Sequence, residues 1–194
     1  MIWLMMLAAS MAAMLPGQKH PAIGVYIDFD AVPSQRSVAE MKREAAKIMD
    51  SAGYFLDWRA LKQNQGNEAF SNVIVVKFHG KCRLEYPTSG SGDEEVTLAS
   101  TLVDRGHVLP FSDVQCDQVR KALPYSVSPD RQKAFGLALG RVVAHELYHF
   151  LADKTKHAAT GLAKASLDWL ELVSGKTAFR ETDVPHGALP AAKP

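Results

Sequence analysis

Apolar and polar positions change period several times along the chain, and each change marks an element. Ile23–Phe29 (IGVYIDF) alternates as a strand does. From Ser37 to Ser51 the apolar residues Val38, Met41, Ala45, Ile48 and Met49 fall at helical spacing. Ser37 with Glu40 three residues on makes a capping box, and Gly53 stands where a helix C-terminal glycine belongs. Tyr54–Leu61 reads as a second strand. Asn72–His79 (NVIVVKFH) is continuous and β-branched, which predicts a central strand. Pro87–Glu95 is a polar loop. Val96–Val103 and His107–Phe111 predict a strand pair turned by Asp104, Arg105 and Gly106. Ser112–Leu123 predicts a short helix. A long helix follows, capped by Ser128 with Pro129 and Asp130 in its first turn and running to about Ala152. After a break at Gly161 comes a short helix near Ser166–Val173. The order predicts an α+β fold in one domain over residues 22–174, with residues 175–194 as a loose tail.

The first fifteen residues break this pattern. In Met1–Leu15 fourteen of fifteen are apolar, and Pro16-Gly17 ends the run. A membrane-spanning helix needs about 20 apolar residues. The shorter run, with a small-x-small site at Ser10-Met11-Ala12, fits a signal peptide and predicts an exported protein. Export favours a disulfide between the only two cysteines, Cys82 and Cys116. Such a bridge closes a loop of about 35 residues and contributes roughly 3–4 kcal/mol by chain entropy.

The residues that carry chemistry lie in the long helix. His145-Glu146-Leu147-Tyr148-His149 is H-E-x-x-H. Four-residue spacing stacks both imidazoles on one helical face, where they can share a zinc ion. Glu146 then lies beside the metal, placed as general base and acid. In a chain of this composition the pattern arises by accident with a probability of about 0.01. Apolar Val142, Val143, Leu147, Phe150 and Leu151 around it predict burial. Gly136 and Gly140 in the same helix predict close packing of the helix on the sheet.

Catalytic zinc takes a third protein ligand. His157 reaches it if the helix ends near Ala152 and the chain turns back through residues 153–156. Asp168 or Glu171 would instead reach it from the next helix. His79, at a strand end, reads as structural. Arg141 and Lys164 are possible electrophilic helpers.

The segment Gly140–His149 resembles the active-site helix of zincin metallopeptidases. The preceding order of elements is similar to the N-terminal subdomain of metzincins. His157 followed by Gly161-Leu162-Ala163-Lys164-Ala165 resembles a pattern in exported, uncharacterised bacterial zincin-like proteins. The resemblance implies a peptidase with His145, His149 and His157 on zinc and Glu146 as base. The chain departs from the metzincin pattern in three ways. Seven residues, not five, separate His149 from His157, Ala152 stands at the turning glycine, and no methionine follows Met49. Gly161–Ala165 then takes the place of the methionine turn. Gluzincins use a glutamate from a following helix, a type that Glu171 matches and Asp168 varies.

Composition narrows the partners. The chain carries 22 Lys+Arg against 21 Asp+Glu, net +1. No single-sign field favours nucleic acid or, after signal cleavage, a membrane surface. The expectation is an exported zinc-dependent peptidase acting on a peptide or protein. The alternative is a zinc-stabilised binding module without turnover.

Overall fold

The structure is a computed structural model that describes residues 20–63, 66, 70–84, 97–124, 130–174, 178–180 and 183. Residues 1–15, the polar loop 87–95, Ser128 and Pro129 lie outside the described residues. The described chain is mixed α/β. Its order is β1 (Ala22–Phe29), α1 (Gln35–Ser51), β2 (Phe55–Ala60), a 3-10 turn (Leu61–Gln63), β3 (Asn72–His79), β4 (Ala99–Asp104), β5 (His107–Gln115), α2 (Cys116–Lys121), α3 (Arg131–Ala152) and α4 (Trp169–Val173).

The five strands form one sheet in the order β2-β1-β3-β5-β4. The first four run parallel, and β4 pairs antiparallel with β5 as the edge. β3 is central, as its apolar run predicts. Ile74, Val76 and Phe78 face the core, while Val73 and Lys77 stay exposed on the opposite face.

β4 and β5 are regular between Ala99 and Thr101 and then slip. Pro110 in β5 has no N–H to give the ladder, which suits an irregularity. The helix expected from Ser112 begins only at Cys116. Residues 111–115 pair in parallel with Val75–His79, and that pairing keeps Ser112–Gln115 extended.

α1 starts earlier than its pattern suggests. Ser34, not Ser37, is the N-cap and accepts from the Ser37 amide. Ser37 is buried, and its hydroxyl donates to Gln132 of α3. Gly136 and Gly140 make room for α1 rather than for the sheet. A Cβ on Gly136 would sit 2.6 Å from the Ser37 carbonyl oxygen, and one on Gly140 2.8 Å from that of Met41. The two helices therefore cross backbone to backbone. Between them Arg141, 1% exposed, forms an ion pair with Glu44 at 2.9 Å.

Cys82, after β3, and Cys116, opening α2, lie at disulfide distance with Cα atoms 5.0 Å apart. No described helix is long and apolar enough to cross a membrane. The stretch read as a tail does not all hang free. The Leu162 amide donates to the Ala178 carbonyl at 3.1 Å, Phe179 packs on Tyr148, and Asp183 is buried against Arg180.

Candidate metal centre

α3 carries the centre. Asp130 is its N-cap and accepts from the Lys133 amide. The helix ends at Ala152, and Asp153 makes the turn in the left-handed region at φ 48. The turn thus begins at Asp153, the first residue of the return stretch expected from the sequence. Aspartate tolerates that conformation better than most side chains. The turn sends residues 154–157 back over the helix.

His145 and His149 lie one turn apart on the same face, and the return loop lays His157 beside them. The Nε2 atom of His149 is 3.1 Å from that of His145 and 3.2 Å from that of His157. One nitrogen from each of the three lies within 4.8 Å of the others. Two bonds fix the tautomers. His145 Nδ1 donates to the Leu162 carbonyl at 2.7 Å, and His149 Nδ1 donates to the Lys154 carbonyl at 2.6 Å. A carbonyl only accepts, so each Nδ1 holds the hydrogen and each Nε2 presents a lone pair. Burial pushes the pKa of His145 down to about 4 and lowers that of His149, which keeps both rings neutral at pH 7.

Converging lone pairs repel unless a cation or a proton lies between them. With Zn–N bonds of about 2.0–2.1 Å, a tetrahedral site spaces neighbouring nitrogens roughly 3.3–3.4 Å apart. The observed 3.1 and 3.2 Å are close to that edge, so the donor set fits a zinc-sized ion.

Glu146 is 4% exposed. Burial raises its pKa to about 7, against the lowering effect of a hydrogen bond from Thr101 Oγ1 to its Oε2 at 2.6 Å. Thr101 also meets Ser112 Oγ at 2.7 Å.

The two carboxylates weighed as third ligands are engaged elsewhere. Asp168 is the N-cap of α4, where its Oδ1 accepts from the Glu171 amide and Glu171 Oε2 accepts from the Asp168 amide. Lys164 donates to Glu171 Oε1 at 2.6 Å. Neither carboxylate belongs to the histidine group. Arg141 is no electrophilic helper either. It is buried against Glu44 and also donates to the Glu171 carbonyl. The Tyr148 hydroxyl donates to the Lys156 carbonyl, bracing the return loop. His79 stands apart between Asp30 at 3.1 Å and Asp113 at 2.6 Å.

The histidines and Glu146 line a cavity of about 1350 Å³. Its walls come from residues 97–101 at the sheet edge, Lys121 and Ala122 at the end of α2, and residues 164–169 before α4.

No protein-family model and no curated protein matches the chain. Among solved structures it is similar to archaemetzincin from Methanopyrus kandleri, with a TM-score of 0.45 and 11% sequence identity over 82% of this chain and 88% of that one. What the site can do follows from its own residues.

Of the residues singled out in the sequence, the structure brings His145, His149 and His157 together and places Glu146 in the same cavity. Sequence reasoning missed Thr101 and Ser112, which lie 45 and 34 positions from Glu146 and are joined to it only by the sheet edge. It also missed the Leu162 and Lys154 carbonyls, because a backbone oxygen leaves no mark in the residue pattern.

Proposed function

We propose that the chain is an exported zinc-dependent peptidase. The observation that carries this reading is the convergence of three imidazole nitrogens beside a buried carboxylate in one cavity. His145, His149 and His157 would hold a zinc ion, which when bound would supply Lewis acidity toward a scissile carbonyl and acidify a water to a pKa of about 7.

The protein's own groups do the rest. Glu146, buried next to His145 in the same cavity, would take a proton and later return it to the leaving amine. The Leu162 and Lys154 carbonyls hold two rings in their donor orientation. β4, antiparallel at the sheet edge, offers an extended peptide a strand to pair with. Export rests on the apolar Met1–Leu15 run together with the Cys82–Cys116 pair.

The test is zinc content and peptide-library hydrolysis for wild type and Glu146→Gln. Zinc retained and hydrolysis lost by at least about 100-fold supports the reading. A wild-type protein that holds zinc and cleaves nothing is instead a zinc-stabilised binding module.

A further inference from the structure

We infer that Thr101 is a positioning residue that sets the general base Glu146 in register with a bound peptide, backed by Ser112. The inference rests on the peptidase reading and adds to it a residue outside the H-E-x-x-H motif.

Hydroxyl arithmetic gives the direction of the contacts. Thr101 has one O–H, and it donates to Glu146 Oε2 at 2.6 Å. The 2.7 Å contact between Thr101 and Ser112 therefore has Ser112 as donor. Ser112 is 2% exposed and is the cross-strand partner of Thr101. The chain runs Ser112 to Thr101 to Glu146, from β5 through β4 to α3. It pins one carboxylate oxygen and leaves Oε1 for the reacting groups.

The strand pairing gives Thr101 a second property. The Gln115 amide donates to the Leu98 carbonyl at 2.8 Å, which makes that pair a hydrogen-bonded one. Antiparallel pairs alternate, and the register continues as Ala99 with Val114, Ser100 with Asp113 and Thr101 with Ser112. Thr101 and Ser112 are then a non-hydrogen-bonded pair. Their side chains approach closely, as the hydroxyl contact shows. The Thr101 main-chain N–H and C=O point away from β5, toward the side of β4 that no described strand covers. One residue thus offers its backbone to an incoming peptide and its side chain to the base. A peptide paired at Thr101 has its distance to Glu146 set by a single side chain.

The experiment uses the zinc-loaded full chain and its Thr101→Val, Thr101→Ser and Ser112→Ala variants. Thr101→Val keeps the shape and removes the hydroxyl. It should lower kcat by about 10- to 100-fold with KM within about threefold and zinc affinity unchanged. Thr101→Ser should restore most of kcat, and Ser112→Ala should fall between. Carbon NMR of labelled glutamate, with the Glu146 signal assigned by its loss in Glu146→Gln, reads the contact without turnover. That signal should move in Thr101→Val and return in Thr101→Ser. An unmoved signal, or wild-type kcat in Thr101→Val while Glu146→Gln is inactive, overturns the inference alone. Wild-type hydrolysis in Glu146→Gln overturns the peptidase reading instead.

Discussion

The Asp153 carboxylate accepts a hydrogen bond from the Val108 amide at 2.9 Å, which ties the end of the metal helix to the start of β5. His107 Nδ1 donates to the same carboxylate at 3.3 Å. Asp153 also carries the left-handed turn that presents the Lys154 carbonyl to His149. Two costs separate on substitution. Asp153→Gly loses the carboxylate bonds and recovers the backbone cost, whereas Asp153→Ala loses the bonds and keeps a left-handed alanine at about 1–2 kcal/mol. Urea unfolding should rank wild type above Asp153→Gly and Asp153→Gly above Asp153→Ala. Equal stability of the two variants would show that the turn is not what the residue supplies.

Zinc affinity should divide the candidate ligands cleanly. Alanine at His145, His149 or His157 should weaken binding by more than the roughly 10- to 100-fold typical of a supporting residue. Asp168→Ala should leave affinity within about threefold and cost about 1 kcal/mol through the lost cap. A chelator competition assay reads the first quantity and thermal unfolding the second. Loss of zinc in Asp168→Ala or Glu171→Ala with retention in His157→Ala would reverse the assignment.

The Glu44–Arg141 pair is buried between two backbones in close approach. Removing one partner leaves a charge without water or counter-ion, at about 3–5 kcal/mol. Glu44→Gln or Arg141→Met should each lower stability by that order. The double variant should lose less than the sum, and a double-mutant cycle by urea unfolding measures the coupling.

His79 gives stability a pH dependence. The hydrogen bond that His79 donates to Asp113, and then the one it donates to Asp30, raise its pKa above the ordinary value of about 6.5, although burial opposes them. The folded state binds this proton more tightly than the unfolded one. The contribution is therefore full below about pH 6.5 and is lost as pH rises through the raised folded value. Unfolding free energies between pH 5.5 and pH 9 should fall more steeply for wild type than for His79→Gln. Parallel curves would remove the carboxylate clamp from the account.

Much of this architecture is legible in the residue pattern, and the exceptions have physical causes. β3 is readable because a run of β-branched residues in the middle of a sheet needs no alternation. α3 is readable because a 22-residue helix carries several apolar turns. Ser34 and Ser37 are both competent caps, and the contest is decided by Gln132 on a distant helix, which takes the Ser37 hydroxyl. Ser112–Gln115 has a composition suited to either state, and pairing with β3 settles it as strand. At the site the motif names two of the three clustered histidines and Glu146, whereas the groups that orient them come from backbone and from strands far away in sequence.

Leu162 links the histidine cluster to a segment beyond α4. Its carbonyl holds His145, and its amide is held in turn by the carbonyl of Ala178. Gly161 beside it has no room to change, since a Cβ there would lie 3.0 Å from that same Ala178 oxygen. Ala178 is therefore the outermost link of a clamp that ends on His145, one of the three clustered histidines. A chain shortened to residue 174 would keep His145, His149 and His157 and still lose the brace behind one of them. Ala178, beyond α4, thus stands behind the ring of His145 as much as the helix that displays it.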